Sequence, residues 1–84
     1  MEITVKLYAT LTDFLPPEAR RDNLVRLHVA EDASLAAIIE QFRLPAKQVH
    51  LVLVNGFFIP PKQRAAHRFK PGDVLAIWPP IAGG

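Results

Sequence analysis

Eighty-four residues, half of them apolar, suffice for one folded domain and are too hydrophobic for a disordered chain. The formal charge is only +2, and the basic residues are scattered, with small clusters at Arg20–Arg21 and Lys62 to Arg68 that lack interleaved aromatics, so no nucleic-acid partner is expected. Cysteine is absent, which excludes disulfides, a thiolate nucleophile and cysteine metal sites.

Residues 2–8 alternate, with Ile3, Val5 and Leu7 on one face and Thr4, Lys6 and Tyr8 on the other, as a half-buried strand does. A strand here is not a signal peptide, and no apolar run is long enough to cross a bilayer as a helix. A cytoplasmic protein with no membrane partner is expected. Thr10 to Asp22 reads as a turn or short helix closed by Pro16–Pro17, then a polar loop, with Phe14 and Leu15 anchoring it on the core.

Leu24 to Val29 is a second strand, with Val25, Leu27 and Val29 on one face and Arg26 and His28 on the other. Ser34 opens a helix as its N-cap, with Glu31 and Asp32 nearby on the favourable side of the dipole. Leu35, Ile38, Ile39 and Phe42 form the buried stripe, and Pro45 ends the helix. Val49 to Val54 is almost continuously apolar, as in a central strand covered on at least one face. Asn55–Gly56 is a strong hairpin signal, and Phe57–Phe58–Ile59 returns briefly before Pro60–Pro61. Residues 62–69 are an irregular crossover with room for a short helical turn. A Pro71–Gly72 turn leads into the last strand, Val74 to Trp78. The periodicities predict an α+β fold: one main helix against a mixed sheet of four to five strands.

Pro79 and Pro80 cannot donate to a ladder, so pairing stops after Trp78. The four residues beyond can project up to roughly 14 Å, at about 3.5 Å each. This divides the chain into a domain at 1–80 and a tail at 81–84. Gly83 and Gly84 have no Cβ and fit a slot too narrow for other residues. A terminal carboxylate on such a tail is suited to activation in a nucleotide pocket, because a carboxylate is a poor electrophile until it is adenylated.

The segment Gly72-Asp73-Val74-Leu75-Ala76-Ile77-Trp78-Pro79-Pro80-Ile81-Ala82-Gly83-Gly84 resembles the C-terminus of the MoaD/ThiS sulfur carriers in its Gly-Asp, apolar strand, late aromatic and diglycine. Val54-Asn55-Gly56 and Ile59-Pro60, with His67 and Gly72-Asp73 after them, look ThiS-like, whereas the tail is closer to MoaD. The loop Leu15-Pro16-Pro17-Glu18 is similar to one in ubiquitin-like modules fused to PIN-type RNase domains, which as a rule lack a terminal Gly-Gly; the tail here argues against that role.

The resemblance implies a ubiquitin-like β-grasp fold with the first and last strands parallel at its centre. It also implies a chemistry. An ATP-dependent activating enzyme adenylates the Gly84 carboxylate, and a sulfur donor displaces AMP to leave a thiocarboxylate. A synthase subunit then passes that sulfur to the molybdopterin precursor or to the thiamine thiazole. Gly84 would bear the sulfur, Gly83 would let the tail reach the nucleotide, and Ile81 and Ala82 would line the entry channel. Trp78, Phe58 and Tyr8 would dock the partner, Trp78 matching the family's aromatic before the tail. The carrier itself would be no enzyme; it binds no cofactor, and ATP is used by its activator.

Two rival roles stay open: a protein modifier conjugated through Gly84, and an interaction module with no tail chemistry. His28, His50 and His67 lack metal-ligand spacing.

Overall fold

The computed structural model describes residues 1–80. Its five strands are β1 (Glu2–Leu7), β2 (Leu24–His28), β3 (Leu51–Val54), β4 (Phe57–Phe58) and β5 (Val74–Trp78). They form one sheet in the order β2-β1-β5-β3-β4, in which β1 and β5 are parallel and the other pairs antiparallel. Two α-helices accompany it, α1 (Leu35–Gln41) and the single turn α2 (Pro61–Arg64). The α+β reading and the parallel central pair are both met.

Alternation assigns the faces. Ile3, Val5 and Leu7 of β1, Val52 and Val54 of β3, and Leu75 and Ile77 of β5 all point into the core, and the least buried of them is 6 % exposed. Leu35 and Ile38 of α1 close over them, joined by Leu11, Leu15, Leu44, Ile59 and Phe69 from the connections. One face of the sheet is therefore covered. Among the described residues the other carries no helix.

The first connection folds as two 3₁₀ turns, Ala9–Phe14 and Pro17–Ala19. Leu11 and Leu15 fill the core, whereas Phe14, expected beside Leu15, is 37 % exposed. In a tight turn only one side of the ring faces inward, and Leu11 and Leu15 occupy it. Arg20 secures the segment by donating to the carbonyls of Leu15 and Asp13, both at 3.1 Å.

Ser34 caps α1 as expected, its Oγ accepting the Ala37 N–H at 3.1 Å. The helix stops before Pro45 is reached. Arg43 takes a left-handed φ of 58°. Its N–H then donates to Glu40 O and that of Leu44 to Ile39 O, so the orphan carbonyls are satisfied and buried Leu44 caps the end. β3 is shorter than its apolar run, because Ala46–Gln48 forms a 3₁₀ turn and Val49 caps it.

The β3–β4 turn has left-handed φ at both central residues, 52° for Asn55 and 84° for Gly56. Asn55 also locks the turn to β5. Its Nδ2 donates to Asp73 Oδ1 and its Oδ1 accepts from Val74 N–H, both at 2.8 Å, while Asp73 Oδ2 accepts from Lys70 N–H at 2.9 Å. Replacing Asn55 by alanine removes both side-chain bonds and puts a less tolerant residue at positive φ. The expected loss is about 1–3 kcal/mol in urea unfolding, with the slope unchanged. Glycine should recover part of it, since it restores the φ preference but not the bonds.

Candidate docking face and base of the tail

β5 is held from both sides to its last residue. Tyr8 N–H donates to Ile77 O at 3.1 Å, and on the opposite side His50 N–H donates to Trp78 O at 3.0 Å. Pro79 and Pro80 follow and can add no further rung. The backbone from which residues 81–84 leave is thus fixed in direction by β1 and β3. Ile81, Ala82, Gly83 and Gly84, the expected channel and reactive end, lie outside the described residues.

Trp78 is half-buried on the helix-free face. Its ring stacks on that of Tyr8, with centroids 4.1 Å apart and planes 3° from parallel. An aromatic pair of this kind contributes about 0.5–1.5 kcal/mol beyond its burial. It fixes Trp78 in one orientation, so little side-chain freedom remains to be lost on binding. Cross-strand partners share a face. The register sets Lys6, Ala76, Leu53 and Phe58 in one row across the sheet and Leu51 beside Trp78 in the next. Phe58 is 53 % exposed and both leucines are half-buried. The three aromatics named from the sequence therefore fall on one face, Tyr8 and Trp78 in contact and Phe58 toward the edge.

Leu51 and Leu53 were not marked as half-exposed residues by the sequence. The unbroken apolar run of β3 conceals which of its residues face out. Only the pairing with β5 separates Val52 and Val54, in the core, from Leu51 and Leu53.

Arg64 is a further residue that spacing could not identify. From α2 its Nε donates to Ile59 O at 3.0 Å, and its Nη1 and Nη2 donate to Val49 O at 3.3 Å and His50 O at 3.1 Å. Burial lowers its pKa from an arginine's ordinary value. It ties the crossover to the start of β3, and so to the strand end beside Trp78.

His28, the last residue of β2, and His50, just before β3, are both exposed. His67 is half-buried, edge-on to Phe69 at 5.3 Å. Among the described residues no three His, Cys, Asp or Glu side chains are placed to hold a metal ion.

A five-stranded mixed sheet with a parallel central pair and one covering helix, ending in an aromatic-bearing strand, defines a ubiquitin-like β-grasp protein. The chain belongs to the Mut7-C ubiquitin family, whose model matches residues 1–82. Solved structures share the fold. SAMP1 from Haloferax volcanii is 24 % identical, with both chains covered completely and a TM-score of 0.68. A second Haloferax volcanii protein, HVO 2177, is 21 % identical over all of this chain and 87 % of its own, with a TM-score of 0.77. Subunits 1 and 2 of the molybdopterin-converting factor from Helicobacter pylori, solved as a protein–protein complex, give a match of 19 % identity, complete coverage of both chains and a TM-score of 0.61. No curated protein matches the chain. The resemblance to MoaD/ThiS-like ubiquitin-like proteins read from the tail and hairpin thus holds for the fold.

Proposed function

We propose that this protein is a sulfur carrier: its Gly84 carboxylate is adenylated by an ATP-dependent activating enzyme, converted to a thiocarboxylate, and used to donate sulfur in the biosynthesis of molybdopterin or the thiamine thiazole. The observation that carries the reading is the end of β5. A diglycine follows a strand that is paired with β1 through Ile77 and with β3 through Trp78, and is then stopped by two prolines. Such a base keeps the fold out of the partner's nucleotide pocket and lets only the thin end enter. Trp78, Tyr8 and Phe58, with Leu51 and Leu53 around them, would dock the activating enzyme and later the sulfur-accepting subunit. The chain supplies no acid, base or metal in this scheme and is a substrate of its activator. The Helicobacter pylori assembly supports a synthase-subunit partner by analogy of fold.

The reaction requires Gly84 to carry a free α-carboxylate. Intact mass of the protein, with and without activating enzyme, ATP and a sulfur donor, tests both points. The expected result is the gain of one sulfur for one oxygen, mapped to the C-terminal peptide. An unchanged mass with a folded protein would overturn the carrier.

Two observations favour second readings. A solved relative is described as small archaeal modifier protein 1 of Haloferax volcanii, at 22 % identity and a TM-score of 0.67, which supports a modifier conjugated through Gly84. Isopeptide-linked conjugates in a lysate would distinguish that role. The family model matches residues 1–82, and a ubiquitin-like fold alone also suits an interaction module that needs no tail chemistry.

A further inference from the structure

We propose that Lys6 is an ionic anchor inside the open sheet face, and that the activating enzyme covers this face with an apolar surface carrying a carboxylate opposite the Lys6 ammonium; this deepens the carrier reading above and rests on it. The pairing registers place the residue. Ile3, Val5 and Leu7 are buried in the core, so Lys6 projects from the helix-free side of β1. Leu24 of β2 lies across from it on one side and Ala76 of β5 on the other, and Leu53 and Phe58 continue the same row. The next row holds the Tyr8–Trp78 stack and Leu51. Among the described residues of these two rows Lys6 is the one that carries a charge, and it is half-buried before any partner arrives.

The charge of Lys6 is not balanced within the face. Arg26 pairs with Thr4 and His28 with Glu2, so a second cation stands one row away and the nearest acid of the paired strands two rows away. Glu2 is about 13 Å from Lys6 along β1, at about 3.3 Å per residue, and lies nearer to Arg26. Asp22 lies beyond Asn23, whose left-handed φ of 52° ends the β2 pairing. Among the described residues Lys6 is in no ion pair, so its ammonium is left to solvent. A lysine on an apolar surface keeps its head in water while its stem covers the sheet. A partner that closes on Trp78, Leu53 and Phe58 closes over Lys6 as well and takes that water away. An ammonium desolvated without a counter-charge opposes binding strongly. The surface that fits this face therefore supplies a carboxylate within an apolar surround, and the pair fixes the register in which the tail is presented. A phosphate backbone fits less well, because the residues flanking Lys6 in its row are apolar on both sides.

The test is carrier-dependent ATP–pyrophosphate exchange by the source organism's activating enzyme, with the concentration of the full chain varied. Lys6→Met keeps an unbranched apolar stem and removes the charge. It strands the partner's carboxylate, so KM for the carrier should rise at least about tenfold with kcat within about twofold. Lys6→Arg keeps the charge and should hold KM within about threefold of the wild type's. Lys70→Met is the same chemical change at an exposed lysine in the turn before β5, at the end away from Trp78, and should leave KM within about twofold. Urea unfolding of Lys6→Met should match the wild type, which separates a raised KM from a folding defect. If Lys6 only keeps the face wet, its removal spares a desolvation cost, and Lys6→Met lowers KM or leaves it unchanged. That result, or an equal rise for Lys6→Met and Lys70→Met, overturns the anchor while the carrier reading stands. If the wild type supports no exchange, both fall together. Binding of a fluorescent oligouridylate of about 15 nucleotides, abolished by Lys6→Met, would assign the face to nucleic acid and overturn the proposal.

Discussion

A chain lacking Gly83 and Gly84 is expected to fold as the full chain does and to gain no sulfur from the activating enzyme, ATP and donor. Among the described residues the core lies between Ile3 and Ile77 and the ladder ends at Trp78, so the fold is expected to form without the last two residues. Its unfolding free energy in urea should match the full chain's to within about 0.5 kcal/mol. The chemistry, by contrast, depends on position. A carboxylate moved back to Ala82 would stand about 7 Å short of the adenylation site. Gly84→Ala separates reach from shape, because it keeps the length and the carboxylate but adds a Cβ on the carbon next to the reacting carboxylate. A displacement of about 1 Å at a reacting centre can cost about 100-fold, and a loss of that order in the rate of adenylation is expected. Both variants are read by intact mass and by complementation of a deletion strain. Should the truncated chain complement fully, Gly83 and Gly84 would be dispensable and the protein would be an interaction module.

The parts of the fold that could be read in advance are those set by local rules. The alternation of Ile3, Val5 and Leu7, the Ser34 cap and the Asn55–Gly56 turn each depend on a few neighbouring residues, and each forms as expected. The misread parts depend on what lies across the sheet. The run from Val49 to Val54 does not show which residues face out until β5 pairs with it. Phe14 and Leu11 look equally suited to the core, and only the 3₁₀ turn decides between them. The early end of α1 arises from a left-handed arginine, Arg43, where glycine or asparagine is the usual signal. At the docking face, Trp78 and Tyr8 could be named from their places at the ends of strands, but their stacking required the parallel pairing of β1 and β5.

Leu75→Ala is expected to be the most damaging single substitution for stability. Leu75 is fully buried and occupies the centre of the sheet, paired with Val5 on one side and Val54 on the other. Its strand is flanked on both edges, so the backbone is held and cannot collapse into the space left by the removed atoms. Under those conditions a leucine-to-alanine change in a core costs about 2–5 kcal/mol, the upper half applying where relaxation is restrained. A chain of 84 residues has a total stability of about 4–13 kcal/mol at the usual per-residue range. The substitution should therefore remove about a quarter or more of it, lowering the urea midpoint without altering the slope. Ala76→Gly on the same strand is the contrast, since its side chain faces the open side and leaves only a small cavity. If Leu75→Ala cost less than about 1 kcal/mol, β5 would not be the packed centre of the sheet. The fixed base from which residues 81–84 depart, and with it the geometric case for a presented reactive end, would then fail.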